Sequence, residues 1–236
     1  DEERNEFISV VSNELRTPVT IAEGSISNLQ MLVEKGITDP KVLKDATGSA
    51  HEQVLFLAKM INDLSTLSRA ERGVGSETEV IDIRELAVRL FDDYRDDAEN
   101  KGLRMDIDMK NVTGQIKTSR LYVEEMLQNF ITNAIKYTTA GSVTLQVVET
   151  KGKVTFSVSD TGIGISRTDQ ARIFDKFYRS EDYRTRETSG TGLGLYVAAK
   201  LARKLNTHIS FNSKLNHGST FSFNMPLYKK DVKSND

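Results

Sequence analysis

The stretch SGTGLGLYVAAKLA (189–202) carries the reading from which the rest of this chain is understood. Gly190, Gly192 and Gly194, with Thr191 and Leu193 between them, lead into apolar residues at helical spacing. A glycine-rich turn at a helix N-terminus offers free N–H groups and a favourable dipole to an anion. The Lys-Ser/Thr pair of a P-loop is missing, and the ordered βαβ setting of a dinucleotide fingerprint is missing too. Three upstream stretches give the turn its meaning. QNFITNAIKYT (128–138) reads as a helix with Asn129, Asn133 and Lys136 on one face and Tyr137 beside them. An asparagine amide oxygen is a hard, neutral ligand suited to Mg²⁺, which takes its other ligands from waters and phosphates. Lys136 suits phosphate charge. DTGIGI (160–165) directly follows an expected strand. Asp160, at the strand end, is placed to accept a hydrogen bond from an exocyclic amine, and Gly162 and Gly164 permit a tight turn and close backbone approach. IFDKFYRS (173–180) sets Lys176 and Arg179 among Phe174, Phe177 and Tyr178, which reads as a cationic lid or as plain core aromatics.

Around these stretches, strands and helices are interspersed without regular βαβ alternation, which predicts an α+β sandwich over 79–228. A short strand is expected at 80–83, a helix over 84–100 and a strand over 103–109. A helix over 119–137 follows, then strands at about 142–149 and 153–159. Residues 161–191 read as a long mobile loop, 192–205 as a helix, and 208–213 and 219–225 as closing strands. Before them, ERGVGSET (71–78) is a polar linker. Residues 1–70 hold two helical patterns separated by the turn EKGITDP (34–40). The second carries a seam of Val54, Leu57, Ile61 and Leu64 in steps of three and four. A lone hairpin buries little. Its apolar stripes call for a second copy and a dimeric four-helix bundle. Residues 229–236 read as a flexible tail.

Composition narrows the functional classes. Of 236 residues, 38% are hydrophobic and 28% charged, and the net charge is -2, so no basic field draws the chain to nucleic acid. With no cysteine, disulfides and thiolate metal sites are excluded, and a reducing compartment is expected. His51, His208 and His217 lack metal-ligand spacing. No run approaches the ~20 apolar residues of a membrane helix. The first residue is Asp1, not Met, and the chain is read as a fragment of a longer protein, so the missing membrane run says little about that protein.

In order and spacing, the four glycine- and asparagine-bearing stretches resemble the N, G1, F and G2 boxes of bacterial two-component histidine kinases. GSTFSF (218–223) resembles the closing strand of that domain. The resemblance covers about 79–228. It implies the α/β-sandwich ATP-binding fold of the histidine kinase, Hsp90 and gyrase type, with ATP and Mg²⁺ as cofactors. It gives Asp160 the adenine amino group, Asn133 the Mg²⁺, and Asn129, Lys136 and Tyr137 the phosphates and sugar. Gly162 and Gly164 would line the adenine side, with Thr220 near the base. Gly190, Thr191, Gly192, Leu193 and Gly194 would form the lid over the phosphates, with Lys176 and Arg179. In the Hsp90-like ATPases a glutamate four residues before the Mg²⁺ asparagine activates water. Asn129 stands at that position and has no basic lone pair, so hydrolysis is expected to be very slow.

FISVVSNELRTPVT (7–20) is similar to the family's H box, and Glu14, Leu15, Arg16, Thr17 and Pro18 match it. Asn13 occupies the phospho-acceptor histidine position. An amide nitrogen delocalised into its carbonyl is no nucleophile at pH 7, so autophosphorylation is expected to stop here. Glu14 would remain as the base. Thr17 is the residue that in related kinases helps water attack the phospho-aspartate of a response-regulator receiver domain, so some phosphatase action is expected to survive. Pro18 should bend the helix near Asn13. Two explanations of Asn13 stay open: a designed substitution in an ordinary kinase, favoured because the other motifs show no decay, and a natural pseudokinase signalling by conformation or heterodimerisation. A slow ATPase of the Hsp90 and gyrase type, and an ATP-binding scaffold, are the rival functions.

Overall fold

The computed structural model describes residues 2–229, so all but the first residue of the expected tail lies outside the described residues. The chain divides into two compact units, one ending at Ser65 and one beginning at Thr66.

The first unit is helical. Helix α1 (Glu2–Glu34) runs through Pro18 without ending. It closes on Gly36, whose φ of 70° lets Gly36 and Ile37 return their N–H groups to Val33 and Leu32. Asp39 then accepts from Lys41 N at 2.9 Å and starts helix α2 (Pro40–Glu71), with Pro40 at the first helical position. Small residues serve the hairpin. Ala22 and Ala46 are buried, and Ser25 Oγ donates to Ser49 Oγ at 3.0 Å. Large apolar side chains are left in solvent instead: Ile8, Val19, Ile21, Ile26, Val54, Leu55 and Ile61 are all exposed. Two of them, Val54 and Ile61, belong to the seam expected to need a partner.

The second unit takes in the last turn of α2. Strand β1 (Glu79–Asp82) leads into helix α3 (Ile83–Asn100), which Asp82 caps by accepting from Glu85 N. Strands β2 (Arg104–Met109) and β3 (Gln115–Thr118) precede helix α4 (Arg120–Tyr137). Then come β4 (Ser142–Thr150), β5 (Lys153–Asp160), single turns α5 (Arg167–Gln170) and α6 (Tyr183–Arg186), helix α7 (Gly194–Lys204), and strands β6 (Ser210–Lys214) and β7 (Gly218–Pro226). Strand order in the five-stranded sheet is β2-β4-β5-β7-β6, with β2 and β4 parallel and the other pairs antiparallel. A separate pair, β1 and β3, brings Ile81 against Ile116, both fully buried.

One face of the sheet is apolar. Val154, Phe156 and Val158 of β5 and Phe221, Phe223 and Met225 of β7 are buried. Phe130 of α4 lies on Phe221 and Phe223, with ring centroids 5.5 and 6.2 Å away. Strict alternation turns Ser157, Ser159, Thr220, Ser222 and Asn224 to the opposite face. The α+β sandwich expected from the sequence is the observed fold. Strand β3 escaped the reading because QIKT has one apolar residue and no visible alternation. The loop expected over 161–191 holds the single turns α5 and α6.

Candidate nucleotide-binding site

The site is built where α4 ends beside the C-terminal end of β5. Ser119 caps the start of α4 by accepting from Tyr122 N at 3.2 Å and donates to Gly75 O at 2.6 Å. One face of the helix is core. On the other, Asn129 is 5% exposed, and Asn133, Lys136 and Tyr137 are half-buried. Asn129 Nδ2 donates to Glu125 O at 2.9 Å, and a Cβ on Gly194 would sit 2.7 Å from Asn129 Oδ1. Asn129 is thus packed under the N-terminus of α7.

Asp160 ends β5 on the apolar side of the sheet. Its Oδ1 accepts from Gly162 N at 2.8 Å. Burial holds its carboxyl above the usual carboxylate range, although the Gly162 and Ser219 backbone amides pull the other way. The turn that follows is packed against α4. A Cβ on Gly162 would lie 2.3 Å from Tyr137 O and 2.8 Å from Thr138 Oγ1, and Ile163 N donates to Tyr137 O at 3.1 Å. Gly164, with φ of 65°, lies so close to Lys214 O that a Cβ would be 2.0 Å away. Thr138 is fully buried and its hydroxyl has no protein partner. A buried, unpaired hydroxyl beside a desolvated carboxylate and a glycine turn suits a planar, hydrogen-bonding ligand.

The lid lies over the end of α4. A Cβ on Gly190 would fall 2.2 Å from Lys136 Nζ and 3.8 Å from Tyr137 Oη. Lys136 Nζ is also 4.6 Å from the centroid of the Tyr137 ring. Gly192, with φ of 68°, abuts the Phe177 backbone, so the glycine turn and the aromatic stretch share one close approach. Arg179 donates through Nη2 to Thr185 O and Thr188 O, and its Nε is buried without a partner. Its charge lowers the phenol pKa of Tyr137, which burial raises by a larger effect. Thr191 is buried, and its Oγ1 accepts from Leu193 N at 3.2 Å.

Three sequence expectations change. Thr220 does not reach Asp160: it stands on the other face of the sheet, where its Oγ1 pairs with Ser159 Oγ at 2.8 Å. Ser219 is the residue paired with Asp160 across the ladder, and its hydroxyl lies 2.8 Å from Ser213 Oγ. One step in a strand reverses the face: alternation with Phe221 and Phe223 puts Ser219 on the apolar side, and the pairing of β5 with β7 sets it against Asp160. Leu193 is fully buried and serves as core. Lys176 is exposed with its ammonium 5.5 Å from the centroid of Tyr196, and Phe174 packs on Phe211 at 5.7 Å, the plain aromatic alternative. Sequence reasoning also missed Thr138 and Ser219. Thr138 ends the stretch QNFITNAIKYT, and nothing in that pattern marks it as buried.

The helical unit presents Asn13, Glu14 and Thr17 on α1, all exposed. Asn13 Oδ1 accepts from Arg16 Nη1 at 3.3 Å, and Thr17 Oγ1 donates to Asn13 O at 3.5 Å. His51, His208 and His217 are exposed, and the described residues hold no cluster of three or more His, Cys, Asp or Glu suited to a metal. Among the described residues no helix is long and apolar enough to cross a membrane.

A helical hairpin followed by this sheet and glycine lid defines a class, and sequence comparison names it. Residues 3–73 match the His Kinase A (phospho-acceptor) domain. Residues 118–229 match the histidine kinase-, DNA gyrase B- and HSP90-like ATPase. The chain belongs to the two-component sensor histidine kinases. It is 29% identical to the sensor protein SrrB of Staphylococcus aureus over 96% of this chain and 38% of that protein. The chain therefore spans well under half the length of that relative. Among solved structures, full-length ShkA in complex with AMPPNP is 25% identical, with a TM-score of 0.66, covering 95% of this chain and 46% of that one. Histidine kinase ThkA in complex with the response regulator protein TrrA shares the fold, with a TM-score of 0.71 at 20% identity, covering 94% and 61%.

Proposed function

We propose that this chain is the ATP-binding and dimerisation core of a sensor histidine kinase in which Asn13 blocks autophosphorylation. The observation that carries the nucleotide reading is the desolvated Asp160 carboxylate, set beside the Gly162 turn and the unpaired Thr138 hydroxyl. ATP binds with its adenine amino group donating to Asp160. Lys136, the Gly190 backbone and Arg179 face the phosphates. Asn133 lends its amide oxygen to Mg²⁺, which supplies charge neutralisation to the phosphates when bound. The AMPPNP bound to ShkA supports this ligand class.

In a histidine-bearing version the imidazole nitrogen attacks the γ-phosphorus, the bond to the β–γ bridging oxygen breaks, ADP leaves, and Glu14 takes the imidazole proton. Asn13 offers no such nitrogen, and the cycle ends at nucleotide binding. Dimerisation through residues 1–70 would cover Ile8, Val19, Ile21, Ile26, Val54, Leu55 and Ile61. The downstream partner is a receiver domain, as in the ThkA–TrrA complex, and Thr17 is kept for dephosphorylating it. The parent is a membrane-bound sensor with this portion in the cytoplasm. The undecayed nucleotide motifs favour a designed substitution at Asn13, and a natural pseudokinase that signals by conformation or heterodimerisation is the second reading.

Asn13→His with labelled ATP separates the readings. Acid-labile phosphate on the variant, and none on the parent, identifies a kinase disabled at one residue. ATP binding without label on the variant selects the pseudokinase. Absence of ATP binding to the parent rejects the nucleotide site itself.

A further inference from the structure

We propose that Lys101 is a positioning residue of the nucleotide site, closing the C-terminus of α4 and thereby fixing Lys136, Tyr137 and the Gly162 turn. The inference rests on the nucleotide-binding reading above and assigns a role to a residue in no motif of it.

A helix leaves its last four carbonyls without partners of its own. Helix α4 ends at Tyr137, and Thr138 continues in an extended conformation. Its final carbonyls are instead taken by groups from elsewhere in the second unit. Lys101 Nζ donates to Ile135 O at 2.6 Å and to Lys136 O at 2.9 Å. Ile163 N donates to Tyr137 O at 3.1 Å. A cation at this end also complements the helix dipole.

Lys101 is itself held in place. It ends α3, and its N–H returns to Ala98 O at 3.1 Å. Gly102, with φ of 82°, then reverses the chain, and Leu103 donates to Ala98 O at 2.9 Å while its side chain is buried. The ammonium therefore ties a fixed corner of the core to the last turn of α4, which carries Lys136 and Tyr137. That turn has little slack. On one side Tyr137 O lies against Gly162, and on the other Lys136 Nζ lies against Gly190. A shift of a few tenths of an ångström at 135–137 moves both the adenine-side turn and the phosphate-side lysine.

The test uses the full chain with Lys101→Met and Lys101→Arg, calorimetry with ATP–Mg²⁺, and amide hydrogen exchange without ligand. Lys101→Met is expected to weaken ATP about tenfold, that is about 1.4 kcal/mol. Arginine, which can still donate to both carbonyls, recovers most of that loss. In a Lys136→Met background the further loss from Lys101→Met shrinks below about threefold, because both changes act through one turn. Exchange quickens at residues 135–138 and 162–164, while the β6–β7 amides stay protected. Unchanged ATP affinity, an arginine variant as weak as methionine, fully additive losses, or unchanged exchange at the end of α4 would each overturn the proposal. A parent chain that binds no ATP sinks the nucleotide reading, and the exchange data then decide Lys101 alone.

Discussion

Asp160→Asn separates ligand recognition from folding. The substitution keeps the shape and one acceptor oxygen, so the 2.8 Å hydrogen bond from Gly162 N, and with it the turn, can persist. It replaces the second carboxylate oxygen with an N–H₂ group, which meets the adenine amino group donor to donor. A hydrogen bond to a charged acceptor contributes roughly 1.5–3 kcal/mol, so ATP affinity should fall about 10- to 150-fold. Stability should move the other way. Burial raises the Asp160 pKa in the folded state above its unfolded value. A raised carboxylate contributes stability that is present below the unfolded pKa and lost as pH rises through the folded one. Wherever the carboxyl is ionised, its buried charge is a liability that asparagine removes, so the melting temperature should hold or rise as pH increases. The same shift makes ATP binding to the parent weaken as pH falls, starting above the ordinary carboxylate range, whereas the variant should be flat there. Calorimetry with ATP and GTP, alongside thermal melts across pH, checks all three. An ATP affinity within twofold of the parent at unchanged preference over GTP would refute the assignment of Asp160 to the base.

Asn133→Ala should abolish the Mg²⁺-dependent increment of ATP affinity and leave binding in EDTA close to that of the parent, read by paired titrations. Gly164→Ala forces a left-handed conformation that costs about 1–2 kcal/mol, and its Cβ meets Lys214 O at 2.0 Å. The second unit should lose about 3–8 °C in melting temperature or more, measured by calorimetry. Ser219→Ala should weaken ATP several-fold by breaking the hydroxyl pair with Ser213 beside Asp160, whereas Thr220→Val should leave it within about twofold; the opposite ranking would overturn the facing of β7.

Much of the architecture could be read from residues because its signals are local. Alternation in LRMDIDM announced β2, and four- and three-residue spacing announced the polar face of α4. Strand β3 carried one buried isoleucine and announced nothing. Within the site, Asp160 and the glycines were readable because a carboxylate at a strand end and glycines at tight turns have few other uses. Thr138 was not, since a hydroxyl does not declare its burial, and Ser219 was not, since alternation gives its face but not the residue it meets across the ladder.

Read alone, the chain determines its family, its two-part layout, the glycine lid and the amide at position 13, all set by residue type and spacing along one segment. Tertiary structure alone decides that Ser219 is the residue that meets Asp160, that Leu193 is core, and that Lys101 closes α4. Each of those depends on which distant backbone a residue meets, and strand register and helix-end capping are set by packing between segments that sequence spacing does not encode.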